Sequence, residues 1–139
     1  MRRILANFTP WHPWARRKDG SINLGLPGVY LLAEFDRRPT LGTPALSRKI
    51  FYIGETCSTL HRRLYSFQRS AFENKFGHSG GATFFKVRKS KPDLDRVYVS
   101  AMPVDRPEVE REAFIRYAER ALLWFYYERH GVMPACNRK

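Results

Sequence analysis

The sequence predicts an α+β domain in which a small, mainly antiparallel β-sheet is flanked by helices. Three observations lead to this fold class. Runs rich in β-branched and aromatic residues alternate with segments of helical period, and short loops rich in Pro and Gly connect them. The length of 139 residues fits one domain. Hydrophobic residues make up 43% of the chain, which is enough for a core and argues against disorder.

The predicted elements follow the order β-β-α-β-β-α. The strand candidates share β-branched and aromatic enrichment and cover residues 28–35, 49–55, 82–88 and 96–102. Because a single loop joins the first two, we expect them to pair as a hairpin. The first helix is predicted to start after a Ser58 cap and to end at Gly77, followed by a flexible loop over 77–81. The last helix is predicted to begin at Pro107 and to end at Gly131.

The N-terminal segment differs in composition from the rest. Residues 1–27 contain three Pro and two Gly and are predicted to be an irregular arm ahead of a domain over 28–139. Trp11 and Trp14 lie in this arm. They either stack on nucleic-acid bases or close over the core.

The charge points to a polyanionic partner. Lys and Arg number 25 against 13 Asp and Glu, which gives a net charge of +12, and 14% of the residues are aromatic. This combination is typical of nucleic-acid-binding proteins, although a basic protein without such a partner has the same composition. Residues 58–91 hold eight Lys or Arg and one Glu. The DNA-binding candidates in this region are Arg62, Arg69, Lys75, Lys86 and Arg88. In the predicted strand, Lys86 and Arg88 share one side.

Other classes are disfavoured. No apolar run approaches the length of about 20 residues that a membrane span needs, and the N-terminus lacks the apolar region of a signal peptide. Cys57 and Cys136 form no Cys-x-x-Cys pattern, which argues against a zinc knuckle or a disulfide framework. Two free thiols indicate a reducing, cytoplasmic location, with a single disulfide as the alternative.

Tyrosine, arginine and glutamate side chains of the predicted hairpin and helices are candidates for chemistry. Pairing of the first two strands would place Tyr30 and Tyr52 on one face, where they are either site residues or ordinary strand aromatics. His61, Arg62 and Arg63 lie in the first turns of the following helix, where a guanidinium would face the same cavity, and the planar guanidinium suits a phosphate. The alternative is a solvated basic helix face. Glu119 lies at the edge of the apolar stripe of the last helix and is otherwise a surface carboxylate. Glu112 and Glu128 are further carboxylate candidates on the same helix.

Five segments add a family resemblance. They are PGVY (27–30), FYIGET (51–56), LHRRL (60–64), AERALLW (118–124) and MPACN (133–137). In this order the sequence resembles the GIY-YIG nuclease superfamily, with Gly28-Val29-Tyr30 and Tyr52-Ile53-Gly54 as the two signatures. The resemblance covers roughly residues 27–137.

The resemblance implies a role for each matching residue. Tyr30 and Tyr52 would orient or deprotonate the attacking water, and Arg63 would bind the scissile phosphate. Glu119 would hold one Mg²⁺ or Mn²⁺ ion, which is consistent with the few carboxylates that Mg²⁺ needs beside water and phosphate oxygens. Asn137 would help to hold the site or the DNA.

The chain also departs from the family pattern. Glu55 follows the second signature, where some members have Lys. Phe67 stands one turn after Arg63, where members that resemble restriction and homing enzymes often carry His. His61 or His78 would replace that histidine as a candidate general base, of which we favour His78. Arg62 is the alternative phosphate ligand if the register shifts by one residue.

Together these features predict a divalent-metal-dependent DNA endonuclease. The alternatives are a non-catalytic basic nucleic-acid-binding domain on the same scaffold and the cutting subunit of a larger DNA-processing system. A double-strand break would need a homodimer or two encounters, because one site cuts one strand. The residues leave open whether the substrate is single- or double-stranded.

Overall fold

The computed structural model describes residues 1–88 and 93–137. This part of the chain forms four strands and four α-helices, which are α1 (Arg2–Leu5), β1 (His12–Pro13), β2 (Gly28–Glu34), β3 (Ile50–Thr56), α2 (Leu60–Glu73), α3 (Ser79–Val87), β4 (Val97–Pro103) and α4 (Glu108–His130). Within these ranges, no helix combines the length and the apolar character needed to cross a membrane.

The four strands form one antiparallel sheet in the order β1-β4-β2-β3. The predicted α+β class is therefore confirmed, and three of the predicted strands agree with β2, β3 and β4 to within one residue. β2 and β3 form the predicted hairpin, in which Tyr30 lies opposite Gly54 and Leu32 lies opposite Tyr52. β3 occupies one edge of the sheet, so its outer backbone groups are available to another part of the chain.

Helices cover both faces of the sheet. Successive strand side chains point to opposite faces, and both faces carry buried apolar residues. One face contacts α2 and α3 and includes Tyr30, Leu32 and Tyr52. The other face contacts α4 and includes Leu31 and Ile53. The two tyrosines and α4 therefore belong to opposite layers, which meet at the outer edge of β3.

α3 replaces two predicted features. Residues 79–87 are helical, so the predicted strand over 82–88 and the flexible loop over 77–81 are both wrong. His78 caps this helix, and its Nδ1 accepts a hydrogen bond of 3.0 Å from the backbone N–H of Gly81. His is not among the usual cap residues, which explains why the start of α3 was missed.

Packing accounts for the helical state of this β-rich segment. Phe84 is buried, and its ring centroid lies 4.8 Å from that of Phe51 and 5.9 Å from that of Phe67. Such burial outweighs an intrinsic β preference. Lys86 and Arg88 line different cavities, so the expectation that they share one side is also wrong.

The ends of α2 differ slightly from expectation. Thr59 rather than Ser58 is the cap, since the Thr59 side chain accepts a hydrogen bond of 3.2 Å from the N–H of Arg62. α2 ends at Asn74, which adopts a left-handed conformation with φ of 55°, before the predicted end at Gly77. A left-handed residue after the last turn is a common helix stop.

α4 has the predicted ends. It begins after Pro107 and ends at Gly131, which is left-handed with φ of 73°. Its fully buried side chains recur at helical spacing and are Ile115, Ala118, Leu122 and Tyr126. This stripe holds α4 against the sheet.

The N-terminal segment contributes to the core. β1 extends the sheet by pairing His12 with Val99 of β4. Trp11 and Trp14 are only 9% and 2% exposed. They therefore close over the core, and the alternative in which they stack on bases is wrong.

Candidate active site

A cleft of about 410 Å³ lies at the outer edge of β3. Tyr52, Arg63, Glu119 and Asn137 line it together. These residues come from β3, α2, α4 and the segment after α4, and the fold brings them to one place. Tyr30 and His78 do not line the cleft and lie behind it, in contact with Tyr52.

The two tyrosines are diagonal neighbours on one face of the hairpin. Their ring centroids are 6.0 Å apart, and both rings are buried. Gly54 makes this approach possible: a Cβ atom there would lie 2.5 Å from the Tyr52 ring and 2.6 Å from the Tyr30 hydroxyl oxygen. The glycine of the second signature thus serves the packing of the two rings.

Gly80 of α3 supports Tyr52 from the other side. A Cβ atom at Gly80 would lie 2.3 Å from Cε2 of Tyr52, so only glycine lets α3 approach the ring so closely. The ring of Tyr52 is held between Gly54 and Gly80. Because residues 77–81 were predicted to be a loop, the contact between Gly80 and Tyr52 was not expected from the sequence.

Arg63 lines the cleft and lies beside the phenols of Tyr30 and Tyr52. It is half-buried, and its Nη1 donates a hydrogen bond of 3.4 Å to the carbonyl oxygen of Gly77. Burial alone would lower the pKa of Arg63, but the adjacent phenols of Tyr30 and Tyr52 raise it, and the net direction is upward. Arg63 therefore remains a cation beside the cleft. Arg62, the alternative phosphate ligand, is exposed and does not line the cleft.

Tyr30 is fully buried, and its hydroxyl oxygen lies 2.6 Å from Nε2 of His78. Burial is the main reason why the pKa of Tyr30 is raised well above its usual value. The nearby phenol of Tyr52 raises it further, and the charge of Arg63 acts in the opposite direction. Tyr30 is consequently a neutral phenol at neutral pH.

His78 is a neutral imidazole in this site. Burial lowers its pKa to about 3, with the charge of Arg63 as a second cause. Its ring packs edge-on against Phe67, with centroids 5.3 Å apart. His78, at the start of α3, thus contacts the α2 residue that stands one turn after Arg63. His61 is exposed and does not line the cleft.

Asn137 closes the open edge of β3. Its Oδ1 accepts a hydrogen bond from the N–H of Ile53, and its Nδ2 donates one to the carbonyl oxygen of Ile53, both at 2.8 Å. The N–H of Cys136 donates a further bond of 2.8 Å to the carbonyl of Phe51. Asn137 thus binds the backbone of Ile53, which lies between Tyr52 and Gly54.

Glu119 is the carboxylate of the cleft. It is half-buried on α4 and lines the cleft with Arg63 and Asn137. Within residues 1–88 and 93–137, no group of three or more His, Cys, Asp or Glu side chains converges on one point. A cation held here would use Glu119 and complete its coordination with water and ligand oxygens, as Mg²⁺ commonly does.

The predicted DNA-binding residues are all exposed, but they do not form one surface. Lys75 and Lys86 line a groove of about 630 Å³ between the end of α2 and the start of α3. Arg88 forms an ion pair with Glu34 and lines a different cavity. Arg69 lies over the ring of Tyr65, 5.9 Å from its centroid.

The comparisons with known proteins give no relative. No family model matches the chain, and neither the curated proteins nor the solved structures contain a significant match. The function is therefore inferred from the geometry of the cleft.

Proposed function

We propose that this protein is a divalent-metal-dependent DNA endonuclease of the GIY-YIG type. One observation carries the proposal: a cation, a carboxylate, a phenol and an amide that are widely separated in sequence line a single cleft, as Arg63, Glu119, Tyr52 and Asn137. Phosphodiester hydrolysis needs charge neutralisation at the phosphate and an oriented water. The cleft offers both kinds of group.

We assign phosphate binding to Arg63. Its guanidinium can donate two parallel hydrogen bonds to a phosphate, and an arginine is charged at neutral pH. Glu119 would hold one Mg²⁺ or Mn²⁺ ion, which supplies further charge neutralisation at the phosphate when bound.

The tyrosines take unequal roles in this proposal. Tyr52 borders the cleft and orients the water that attacks phosphorus. The bond from phosphorus to the leaving oxygen breaks, and the proton that the water loses balances the one that the leaving oxygen takes up from solvent. Tyr30 is fully buried and bonded to His78, so it positions Tyr52 and Arg63 from behind. Asn137 fixes the strand that carries Tyr52.

We place the activity in the cytoplasm. Neither Cys57 nor Cys136 forms a disulfide, which suits a reducing compartment. One cleft cuts one strand, so double-strand cleavage would use a homodimer or a partner in a larger complex.

The test is cleavage of circular DNA. Supercoiled duplex and circular single-stranded DNA are incubated with the protein in Mg²⁺ or in EDTA. We expect Mg²⁺-dependent cutting of at least one substrate, and a loss of about 100-fold or more in Glu119→Gln, as for removal of a group that stabilises the transition state. Glu128→Gln is the matched control, because Glu128 is exposed on the same helix outside the cleft.

Two results would contradict the proposal. One is the absence of metal-dependent cutting on both substrates, and retained DNA binding would then favour the non-catalytic binding domain. The other is a folded Glu119→Gln variant that cuts at the wild-type rate.

A further inference from the structure

Three exposed aromatic side chains lie on one side of α4. Tyr117, Trp124 and Tyr127 are 62%, 57% and 46% exposed, and the rings of Trp124 and Tyr127 stack with centroids 6.1 Å apart. At helical spacing, Arg120 lies between Tyr117 and Trp124 on the same side. Exposed aromatic clusters of this kind mark interaction sites.

This side of α4 continues into the cleft. Arg120 belongs to the aromatic side of the helix and also lines the cleft, as does the adjacent Glu119. A ligand that contacts Trp124 and extends past Arg120 therefore reaches the residues proposed to cut DNA.

A second aromatic and basic surface lies beyond the cleft. The groove between α2 and α3 is lined by Lys75, Lys86, Phe76 and Phe85, and the side chain of Phe76 is fully exposed. Ser79 lines both this groove and the cleft. The two aromatic surfaces are thus joined through the cleft, with Arg63 between them.

From this arrangement we infer that the substrate is single-stranded DNA, whose bases stack on Trp124 and on Phe76 on either side of the cut phosphate. This inference rests on the proposed endonuclease function. Aromatic rings stack on base faces, which an intact duplex hides between its own neighbouring bases, whereas an unpaired strand presents them. Arg120, Lys75 and Lys86 lie among the rings and match the charge of the strand. An acidic or apolar protein partner would not need the continuity with the cleft.

Trp124 provides a direct probe. It is the exposed tryptophan, whereas Trp11 and Trp14 are buried, so quenching of emission by an added strand reports contact at Trp124. The experiment uses the full chain with Glu119→Gln as background, so that no cleavage occurs. An oligothymidylate of roughly 16 nucleotides, within the range of single-strand binding sites, is compared with a duplex of equal length.

We expect the single strand to quench the Trp124 emission and to bind at least fivefold more tightly than the duplex. Adding Trp124→Ala or Phe76→Ala to this background should weaken single-strand binding, measured by the anisotropy of a fluorescein-labelled strand, roughly 5- to 150-fold, the range for loss of one stacked base. Tyr65→Ala is the matched control, since Tyr65 is an exposed aromatic of α2 that lines neither cavity. Its binding should stay within about twofold of the background.

The inference is overturned by equal affinity for single strand and duplex, or by unchanged affinity in Trp124→Ala. It is also overturned if Trp124→Ala turns a dimer into a monomer without weakening binding, because the aromatic surface would then be a subunit interface.

Cleavage by the wild-type protein distinguishes the single-strand inference from the endonuclease proposal. Glu119-dependent cutting of duplex alone leaves the endonuclease standing and removes the single-strand inference. Trp124-dependent binding without cutting of any DNA removes the endonuclease instead.

Discussion

The hydroxyl group of Tyr30 and Nε2 of His78 lie 2.6 Å apart. The hydrogen bond made by the other ring nitrogen, Nδ1, determines which of the two groups donates. Nδ1 of His78 already accepts from the backbone N–H of Gly81. A neutral imidazole with Nδ1 as acceptor carries its proton on Nε2. His78 therefore donates to the Tyr30 oxygen, and in this state it is a positioning residue and not the base that accepts the phenol proton.

The buried His78 makes stability depend on pH. In the unfolded chain a His takes up a proton near pH 6.5, whereas the folded protein binds it only near pH 3. The unfolded state therefore binds more protons between these two pH values. The contribution of His78 to the free energy of unfolding rises with pH through this interval and is constant above it. His78→Asn keeps a cap acceptor and removes this titration. Between pH 7.5 and pH 4.5, urea unfolding should show the wild type losing roughly 2 to 3 kcal/mol more than the variant. Equal losses would contradict the neutral His78.

Arg63→Lys tests the planar fork of the guanidinium. Lys keeps the charge but cannot make two parallel hydrogen bonds to one phosphate. We expect kcat/KM for DNA cleavage to fall by about 10- to 100-fold, equivalent to roughly 1.4 to 2.7 kcal/mol. Arg62→Lys is the control, since its side chain is exposed outside the cleft. An equal loss in Arg62→Lys would assign phosphate binding to the neighbouring register.

Gly80→Ala tests the support of Tyr52. The added methyl carbon would meet the ring at 2.3 Å, and the ring also lies close to Gly54 on its other side. We expect a loss of about 1 to 3 kcal/mol in the free energy of unfolding, typical of overpacking, together with reduced cleavage. Gly25→Ala is the comparison, because a Cβ there comes no closer than 3.4 Å to its neighbours. A Gly80→Ala protein as stable as Gly25→Ala would refute the close approach.

Asn137→Ala tests the edge of β3. The change removes two hydrogen bonds and leaves the N–H and carbonyl of Ile53 without these partners. We expect a destabilisation of about 1 to 3 kcal/mol and weaker cleavage, measured by urea unfolding and by DNA nicking. Asn7→Ala removes an exposed bond of 2.8 Å to the carbonyl of Arg3 and should cost much less. Similar losses in both variants would show that the β3 edge does not depend on Asn137.

The hairpin and its tyrosines were predictable because their signals are local. Strand propensity, one connecting loop and the period of two are sufficient to place Tyr30 and Tyr52 on one face. An arginine in the first turns of α2 was expected from the helical pattern, but the choice of Arg63 over Arg62 came from the family resemblance. The convergence of Glu119 and Asn137 on the same cleft came from the family resemblance, because no local pattern links them to β3.

The remaining features depend on distant contacts. α3 is helical because Phe84 finds an aromatic pocket and because Gly80 and Gly81 allow close packing, and none of this is visible within residues 79–87. The bond between His78 and Tyr30 joins positions 48 residues apart. Single-sequence patterns carry no information on such pairings.

The bond between Ile53 and Asn137 spans 84 positions of the chain, which has a consequence during synthesis. One face of the sheet packs against α4, so the sheet is covered on both faces only after α4 has emerged, and the bonds to Ile53 form only after residue 137 has left the ribosome. The cleft therefore gains its completed β3 edge only after all of the strands and α4 have been made.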